Sequence, residues 1–171
     1  MNERGAALLL AILLVLALAA VAAAAAATAR IETLIAGSFQ QGMEALYVAD
    51  GALAIVVHDL AERADWTAAL AGAARPREPG FRHFFTGSAR DWGPRQVISD
   101  VGVEVWISDD PADTDGDRLA DSNGVLLVHA EARGPTRARR SIRAVVARDR
   151  DPAGAILPGT ARVRTWREWT W

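Results

Sequence analysis

The sequence contains no cysteine among its 171 residues. Disulfide bonds, thiol nucleophiles and cysteine metal sites are therefore excluded. Aromatic residues are scarce at 6%, and the net charge of −2 gives no electrostatic reason to expect a nucleic-acid partner. A chain of this length accommodates one modest domain and an accessory segment.

Recognisable catalytic motifs are lacking as well. His58, His83 and His129 are far apart in the sequence and do not have the spacing of metal ligands. A glycine-rich phosphate loop and a Ser-His-Asp grouping are also missing from the sequence pattern. We therefore expect a protein that is not an enzyme and has no catalytic residues.

A long apolar run dominates the N-terminal part. Residues 6–27 include no charged side chain, and about 22 residues are enough for a helix to cross a bilayer core. The run fits a secretory signal peptide cut within residues 22–27, or an uncleaved signal anchor. It also fits a prepilin-type leader that is cut after Gly5 while the apolar helix is retained.

The helical period continues past the apolar run without a proline or a turn cluster. We predict one helix over residues 6–62, which a cut in the alanine run would divide. Gly37, Gly42 and Gly51 lie inside it, and they mark bends, let another helix come close, or are simply tolerated. The predicted apolar stripe of the second half comprises Ile31, Ile35, Phe39, Met43, Leu46, Leu53, Val57 and Leu60.

The stretch RGAALLLAILLVLALAA, followed by IETLIAGSFQQGMEALYVADGAL, resembles the N-terminal region of PilX-type minor pilins of bacterial type IV pili. The likeness covers roughly the first 60 residues and rests on two patterned blocks at the right separation. Ile31, Glu32, Ile35 and Ala36 fill the first block, and the second holds Ala45, Tyr47, Ala49, Asp50, Gly51 and Leu53.

The resemblance implies that prepilin peptidase cuts between Gly5 and Ala6. The retained helix would lie in the inner membrane and then pack against other pilins and minor pilins through residues such as Leu10, Leu13 and Leu14. The implied organisation is a leader (1–5), a transmembrane and assembly segment (6–27), an amphipathic helical half (28–63) and a periplasmic β-sheet domain (64–171).

One position departs from the pattern of major pilins. Those subunits carry a glutamate at the fifth mature position, which pairs with the N-terminal amine of a neighbour, and the equivalent residue here is Leu10. K-type minor pseudopilins of type II secretion lack this glutamate too and sit at the tip. The resemblance therefore implies a minor subunit at or near the tip of a pilus or a related secretion filament.

The rest of the chain predicts a small antiparallel sheet. Residues 101–107 alternate apolar and other side chains, residues 124–134 and 137–151 give two further strands, and 81–85 form a short one. The Gly134–Pro135 turn predicts a hairpin between the second and third of these strands. With one sheet face against the helix, the expected fold is α+β and pilin-like.

The segment DTDGDRLADSNG predicts an acidic loop between two strands. Its aspartates are spaced like the oxygen ligands of a calcium loop. The glycine expected after the third aspartate is replaced by Arg118, and the closing glutamate is missing. Calcium binding and a merely soluble acidic turn both stay open. The candidate ligands are Asp113, Asp115, Asp117 and Asp121.

Two residue clusters in the C-terminal part have two interpretations each. The arginines form an anion site or, as we expect, a solvated strand face paired with Glu104 and Glu131. The tryptophans of the last six residues pack on the sheet as an added strand, as we expect, or form an exposed patch for a partner. The residues concerned are Arg137, Arg139, Arg140, Arg143, Arg148, Arg150, Trp166, Trp169 and Trp171.

The sequence thus favours a minor pilin or pseudopilin without a cofactor. The alternative is a single-pass, signal-anchored periplasmic binding domain in which the acidic loop holds calcium. A mature chain that begins near Thr28 would instead indicate a soluble secreted protein.

Overall fold

A computed structural model of the protein describes residues 3–76, 78–88, 100–134 and 138–169. Within these ranges a long helix is followed by a 3₁₀ helix and six strands, which is the predicted α+β class. The elements are α1 (Glu3–Glu62), the 3₁₀ helix (Thr67–Ala71), β1 (Ala74–Arg75), β2 (Glu78–Ser88), β3 (Gly102–Asp109), β4 (Val125–Arg133), β5 (Arg139–Ala147) and β6 (Arg162–Glu168).

Helix α1 is uninterrupted, as the continuous period predicts. Its buried side chains are mostly smaller than the side chains of the predicted apolar stripe. Alanines predominate because they let the sheet approach the helix closely. Ile31, Ile35 and Phe39 belong to the predicted stripe but are exposed, so that prediction is wrong for them. The buried positions follow a helical period at Ala45, Ala49, Ala52, Leu53, Val56 and Leu60.

Among the helical glycines, Gly42 marks a close approach. A Cβ atom there would lie 3.0 Å from Arg140 Nη2, so the neighbour is a strand side chain and not another helix. Cβ atoms at Gly37 and Gly51 would have nothing within 4 Å, which fits the interpretation of tolerated small residues.

The strands form one antiparallel meander in the order β1-β2-β3-β4-β5-β6. Strands β2 to β5 match the four predicted strands, and β4 pairs with β5 as the predicted hairpin. The two-residue strand β1 was not expected. Pro135, Arg137 and Trp171, which the sequence predictions include, lie outside the described residues.

The inner face of the sheet packs on the buried positions of α1 in one core. It presents aliphatic residues at alternate positions of each central strand, as the period-2 pattern requires. Trp66 joins this core just after the helix and donates its indole N–H to the Leu60 carbonyl at 2.7 Å. That bond satisfies one of the last carbonyl groups of α1, which have no partner within the helix.

The outer face of the sheet is also partly covered. His129 and Glu131 alternate with the core residues of β4 and therefore point away from α1, yet both are buried. Arg75 of β1 contacts Glu131 at 2.9 Å, and the Phe81 ring of β2 lies 6.0 Å from the imidazole of His129. The chain from β1 into β2 thus shields charged groups of the outer face from water.

The chain divides into two compact units, Met1–Gln40 and Gln41–Trp171. The first holds the part of α1 that includes the apolar run, and by length and composition this helix is able to cross a membrane. The second holds the end of α1, the 3₁₀ helix and the sheet.

Candidate functional sites

The proposed processing site lies on the first turns of α1. A Cβ atom at Gly5 would meet nothing within 4 Å, so a larger side chain at this position does not disturb the fold. Leu10, Leu13 and Leu14 are 68%, 58% and 63% exposed, and their spacing places them on one side of the helix. Exposed apolar surface of this kind requires a lipid or protein partner.

The acidic segment links β3 to β4 and brings two of its four candidate ligands together. One carboxylate oxygen of Asp113 and one of Asp115 lie within 4.8 Å of each other and of an oxygen of Asp109. Asp117 instead accepts the Leu119 amide at 2.9 Å, and Asp121 accepts the Gly124 amide at 2.8 Å, so both organise the local backbone. The cluster therefore differs from the set that the motif spacing predicts.

Asp113 organises the loop. Its carboxylate accepts the Ser122 hydroxyl at 2.6 Å and the amides of Ser122 and Asn123 at 3.0 and 3.1 Å. The hydroxyl of Ser122 contributes most to lowering the pKa of Asp113. Asp113 therefore stays ionised and holds both ends of the loop together.

Asp109 is the last residue of β3 and has a different environment. It is only 9% exposed, and its Oδ1 atom has no hydrogen-bond donor within the described residues. Burial raises its pKa to about 6, and the charges of Asp113, Asp115 and Asp121 add to the increase. An open cleft of about 440 Å³ borders the cluster and is lined by residues that include Phe81, Arg118 and Leu127.

A charged network fills the shielded part of the outer sheet face. The fully buried carboxylate of Glu131 binds Arg75 at 2.9 Å, Arg133 at 2.6 Å and Arg139 at 2.8 Å. Burial alone would raise the pKa of Glu131, but the hydrogen bonds from Arg139 and Arg133 outweigh it and the pKa is lowered. The expected pairing with Glu131 is confirmed, but the expectation of a solvated face is wrong here, because β1 covers this carboxylate.

The imidazole of His129 lies beside this network. Arg143 Nε donates to His129 Nδ1 at 2.9 Å, and the same guanidinium pairs with Glu78 at 2.8 Å. Burial, followed by the charges of Arg75 and Arg143, lowers the pKa of His129 to about 3. His129 is therefore neutral in the folded protein at physiological pH.

The other arginines that the structure describes do not converge on one anion site. Arg148 donates to the carbonyl groups of Arg63 and Ala64, and Arg150 donates to those of Asn123 and Gly154. Arg140 lies 3.3 Å from Glu168, while the expected partner Glu104 lies 3.7 Å from Arg133. These arginines fasten strands and turns.

Strand β6 contains Trp166, and Trp169 follows its last residue. Its pairing with β5 confirms the expected added strand. Trp169 stacks on Arg143, with 3.9 Å between the guanidinium carbon and the ring centroid. Trp166 is 55% exposed, so the expectation that it packs is wrong. It pairs with Ala144 at the outermost strand, where no further strand is described to cover it.

The three histidines lie in separate places. His58 is 3.4 Å from Glu62 on the surface of α1, and His83 is 2.9 Å from the Thr86 hydroxyl.

Comparisons of this chain with known protein families, curated proteins and solved structures found no match.

Proposed function

We propose that the protein is a minor pilin or pseudopilin, a structural and assembly subunit of a type IV pilus or related secretion filament, at or near its tip. Prepilin peptidase cuts it between Gly5 and Ala6, and the apolar helix anchors it in the inner membrane before assembly. The sheet domain then lies on the periplasmic side.

The observation that carries this proposal is the continuity of α1. The helix runs from Glu3 to Glu62, so the apolar run and the segment that packs on the sheet belong to one element. A signal peptidase cut in the alanine run would divide this element, whereas a cut after Gly5 leaves it almost whole. Continuity therefore favours retention of the apolar helix.

The exposed leucines at positions 10, 13 and 14 support the same proposal. A soluble protein rarely leaves a long apolar surface open to water. Membrane insertion covers these leucines first, and neighbouring pilin helices replace the lipid on assembly. The proposed partners are thus the inner membrane, prepilin peptidase and other pilins.

The test is the mature N-terminus, measured by mass spectrometry on protein from the native host. We expect the wild-type chain to begin at Ala6, and Gly5→Leu to keep the five leader residues in the inner membrane, because the peptidase needs a small residue at the cut. Gly5→Ala is the matched control and should still be processed. Since a Cβ atom at Gly5 meets nothing within 4 Å, a defect in Gly5→Leu does not reflect misfolding.

Two results would contradict the proposal. A wild-type chain that retains Met1 would indicate the alternative, a signal-anchored periplasmic binding domain. The cleft beside the acidic cluster is compatible with such a binding role. A wild-type chain that begins near Thr28 would indicate a secreted soluble protein.

A further inference from the structure

Three carboxylates meet where β3 ends. Asp109 closes the strand, and Asp113 and Asp115 follow in the acidic loop, with one oxygen of each within 4.8 Å of the others. Three negative charges this close repel one another strongly, more so because one of them is shielded from water. Their arrangement needs a compensating positive charge or a proton.

Asp109 gives the independent reason to expect a ligand. It is nine-tenths buried, and its Oδ1 atom meets no hydrogen-bond donor in the described part of the chain. Buried polar atoms in proteins almost always have a partner, and an exception calls for an explanation such as an ion. Because Asp109 faces two further carboxylates, a cation bound between the three would supply both the partner and the compensating charge.

We propose that Asp109, Asp113 and Asp115 bind a calcium ion. All three ligands are oxygens, which suit a hard cation, and the site lacks the nitrogen and sulfur donors that favour transition metals. Calcium–oxygen distances of 2.3–2.6 Å are compatible with three oxygens that all lie within 4.8 Å of one another. Calcium accepts oxygen ligands in flexible geometry, whereas magnesium demands near-ideal octahedral geometry, so a loop of carboxylates suits calcium better.

The loop already holds two of the ligands in place. The amides of Ser122 and Asn123 fix the Asp113 carboxylate, and Asp115 accepts the Asp117 amide at 2.9 Å. The Ser122 hydroxyl and the Asp115 amide donate to the other oxygen of Asp113 at 2.6 and 3.3 Å, so this carboxylate is held on both sides. Bound calcium would connect the end of β3 to the loop.

Calcium binding should also stabilise the surrounding domain. The Asp121 amide donates to Thr67 Oγ1 at 3.2 Å, so the loop is tied to the 3₁₀ helix that follows α1. A ligand that binds only the folded loop raises the melting temperature of everything that unfolds with it. This inference does not depend on the pilin proposal, since the site lies wholly in the sheet domain.

The test is calorimetric titration of the full chain in detergent micelles, first stripped with a chelator, with CaCl₂ and separately with MgCl₂. We expect one calcium per chain with a Kd of about 10⁻⁴–10⁻³ M, as in extracellular modules, and at least tenfold weaker magnesium binding. Calcium should raise the melting temperature of the sheet domain. Absence of calcium binding at millimolar concentration, or equal binding of magnesium, would overturn the assignment.

Variants identify the ligands. Asp109→Asn and Asp115→Asn should each weaken calcium binding at least tenfold, whereas Asp117→Asn, a matched change in the same loop, should bind like wild type. Circular dichroism without calcium checks that each variant is folded. Because Asp115 is exposed, Asp115→Asn still tests the site if Asp109→Asn does not fold. Normal binding by Asp115→Asn, or loss of binding in Asp117→Asn only, would show that the ligand set is wrong.

Discussion

At the scale of single residues, the buried carboxylate of Glu131 is the most demanding group in the sheet domain. Burying a charge is unfavourable unless other charges and hydrogen bonds compensate it. Here three arginines from β1, β4 and β5 contact the two carboxylate oxygens at 2.6–2.9 Å. Glu131 therefore fixes the position of β1 on the outer face of the sheet.

We predict that Glu131→Gln lowers the free energy of unfolding by about 3 kcal/mol, because the buried Arg75 loses the charge of Glu131 at 2.9 Å and keeps Glu78 at 3.4 Å. The value is at the low end of the range for broken buried pairs, since Arg133 and Arg139 are partly exposed. Urea unfolding of the full chain in detergent, followed by tryptophan fluorescence, measures it. Glu104→Gln is the control and should change stability by less than about 0.5 kcal/mol. Equal effects of the two variants would disprove a special role for Glu131.

His129 makes the stability of the domain depend on pH. Its pKa is about 3 in the folded chain, against 6.5 ordinarily, so below pH 6.5 the unfolded chain binds a proton that the folded chain does not. The stability from neutral His129 is complete above pH 6.5 and is lost as the pH falls from 6.5 towards 3, by up to about 1.4 kcal/mol per pH unit.

We predict that His129→Gln reduces the loss of stability between pH 6.5 and about 4.5, because glutamine accepts the bond from Arg143 and does not titrate. Denaturant unfolding at several pH values gives the slope, and other titrating groups cancel when the variant is compared with wild type. His58→Gln, a matched change on the exposed surface of α1, gives the comparison slope. An unchanged slope in His129→Gln would mean that the imidazole becomes charged in the folded state.

The sequence predicted the acidic loop but only part of its cluster. Asp113 and Asp115 stand out because of the motif spacing, whereas Asp109 belongs to the end of a strand pattern. Asp109 belongs to the cluster because the loop folds back onto the end of β3, and spacing along the chain does not reveal that fold. The same limit applies to His129 and Glu131, whose arginine partners come from separate strands.

At the scale of elements, the period of side chains was the reliable signal. It predicted α1 and the four strands β2 to β5, because each has a face that must be buried. It failed for β1, which has only two residues, and it described β6 poorly because every residue of that strand is exposed. It also favoured large residues such as Phe39, whereas the contact with the sheet uses alanines such as Ala45 and Ala49.

The buried part of α1 leads to a prediction about truncation. Buried positions of the helix begin at Gly42, so a fragment of residues 30–171 keeps every helical contact with the sheet. We expect it to be soluble and folded, with mixed helix and strand content by circular dichroism and a cooperative thermal transition. A fragment of residues 63–171 is the comparison, and it should not fold cooperatively because the inner sheet face loses its cover.

Two results would contradict this prediction. Disorder of the fragment 30–171 would mean that the sheet needs the apolar half of α1. Cooperative folding of the fragment 63–171 would mean that the alanine stripe contributes little to the core.

At the scale of the whole molecule, charge is distributed unevenly along the sequence. Residues 6–27 carry no charge, while every ion pair that the structure describes lies in the unit Gln41–Trp171. Such a division suits a protein that is anchored at one end and displays a folded domain at the other. The first unit contains Leu10, which bears on where the proposed subunit sits in a filament.

Leu10 tests this last point. A glutamate there would be buried among apolar helices, and without a neighbour's amine it would be destabilising or would bind a proton. If the subunit caps the filament, no subunit above it supplies that amine, so we predict that Leu10→Glu is processed normally but does not become abundant in the shaft. The measurement is the ratio of this protein to the major pilin in purified filaments, with Leu10→Gln as a control of similar size and no charge. A wild-type ratio near one to one would contradict a minor role. A rise of Leu10→Glu alone to the level of the major pilin would show that the missing carboxylate, and not the sheet domain, keeps the protein out of the shaft.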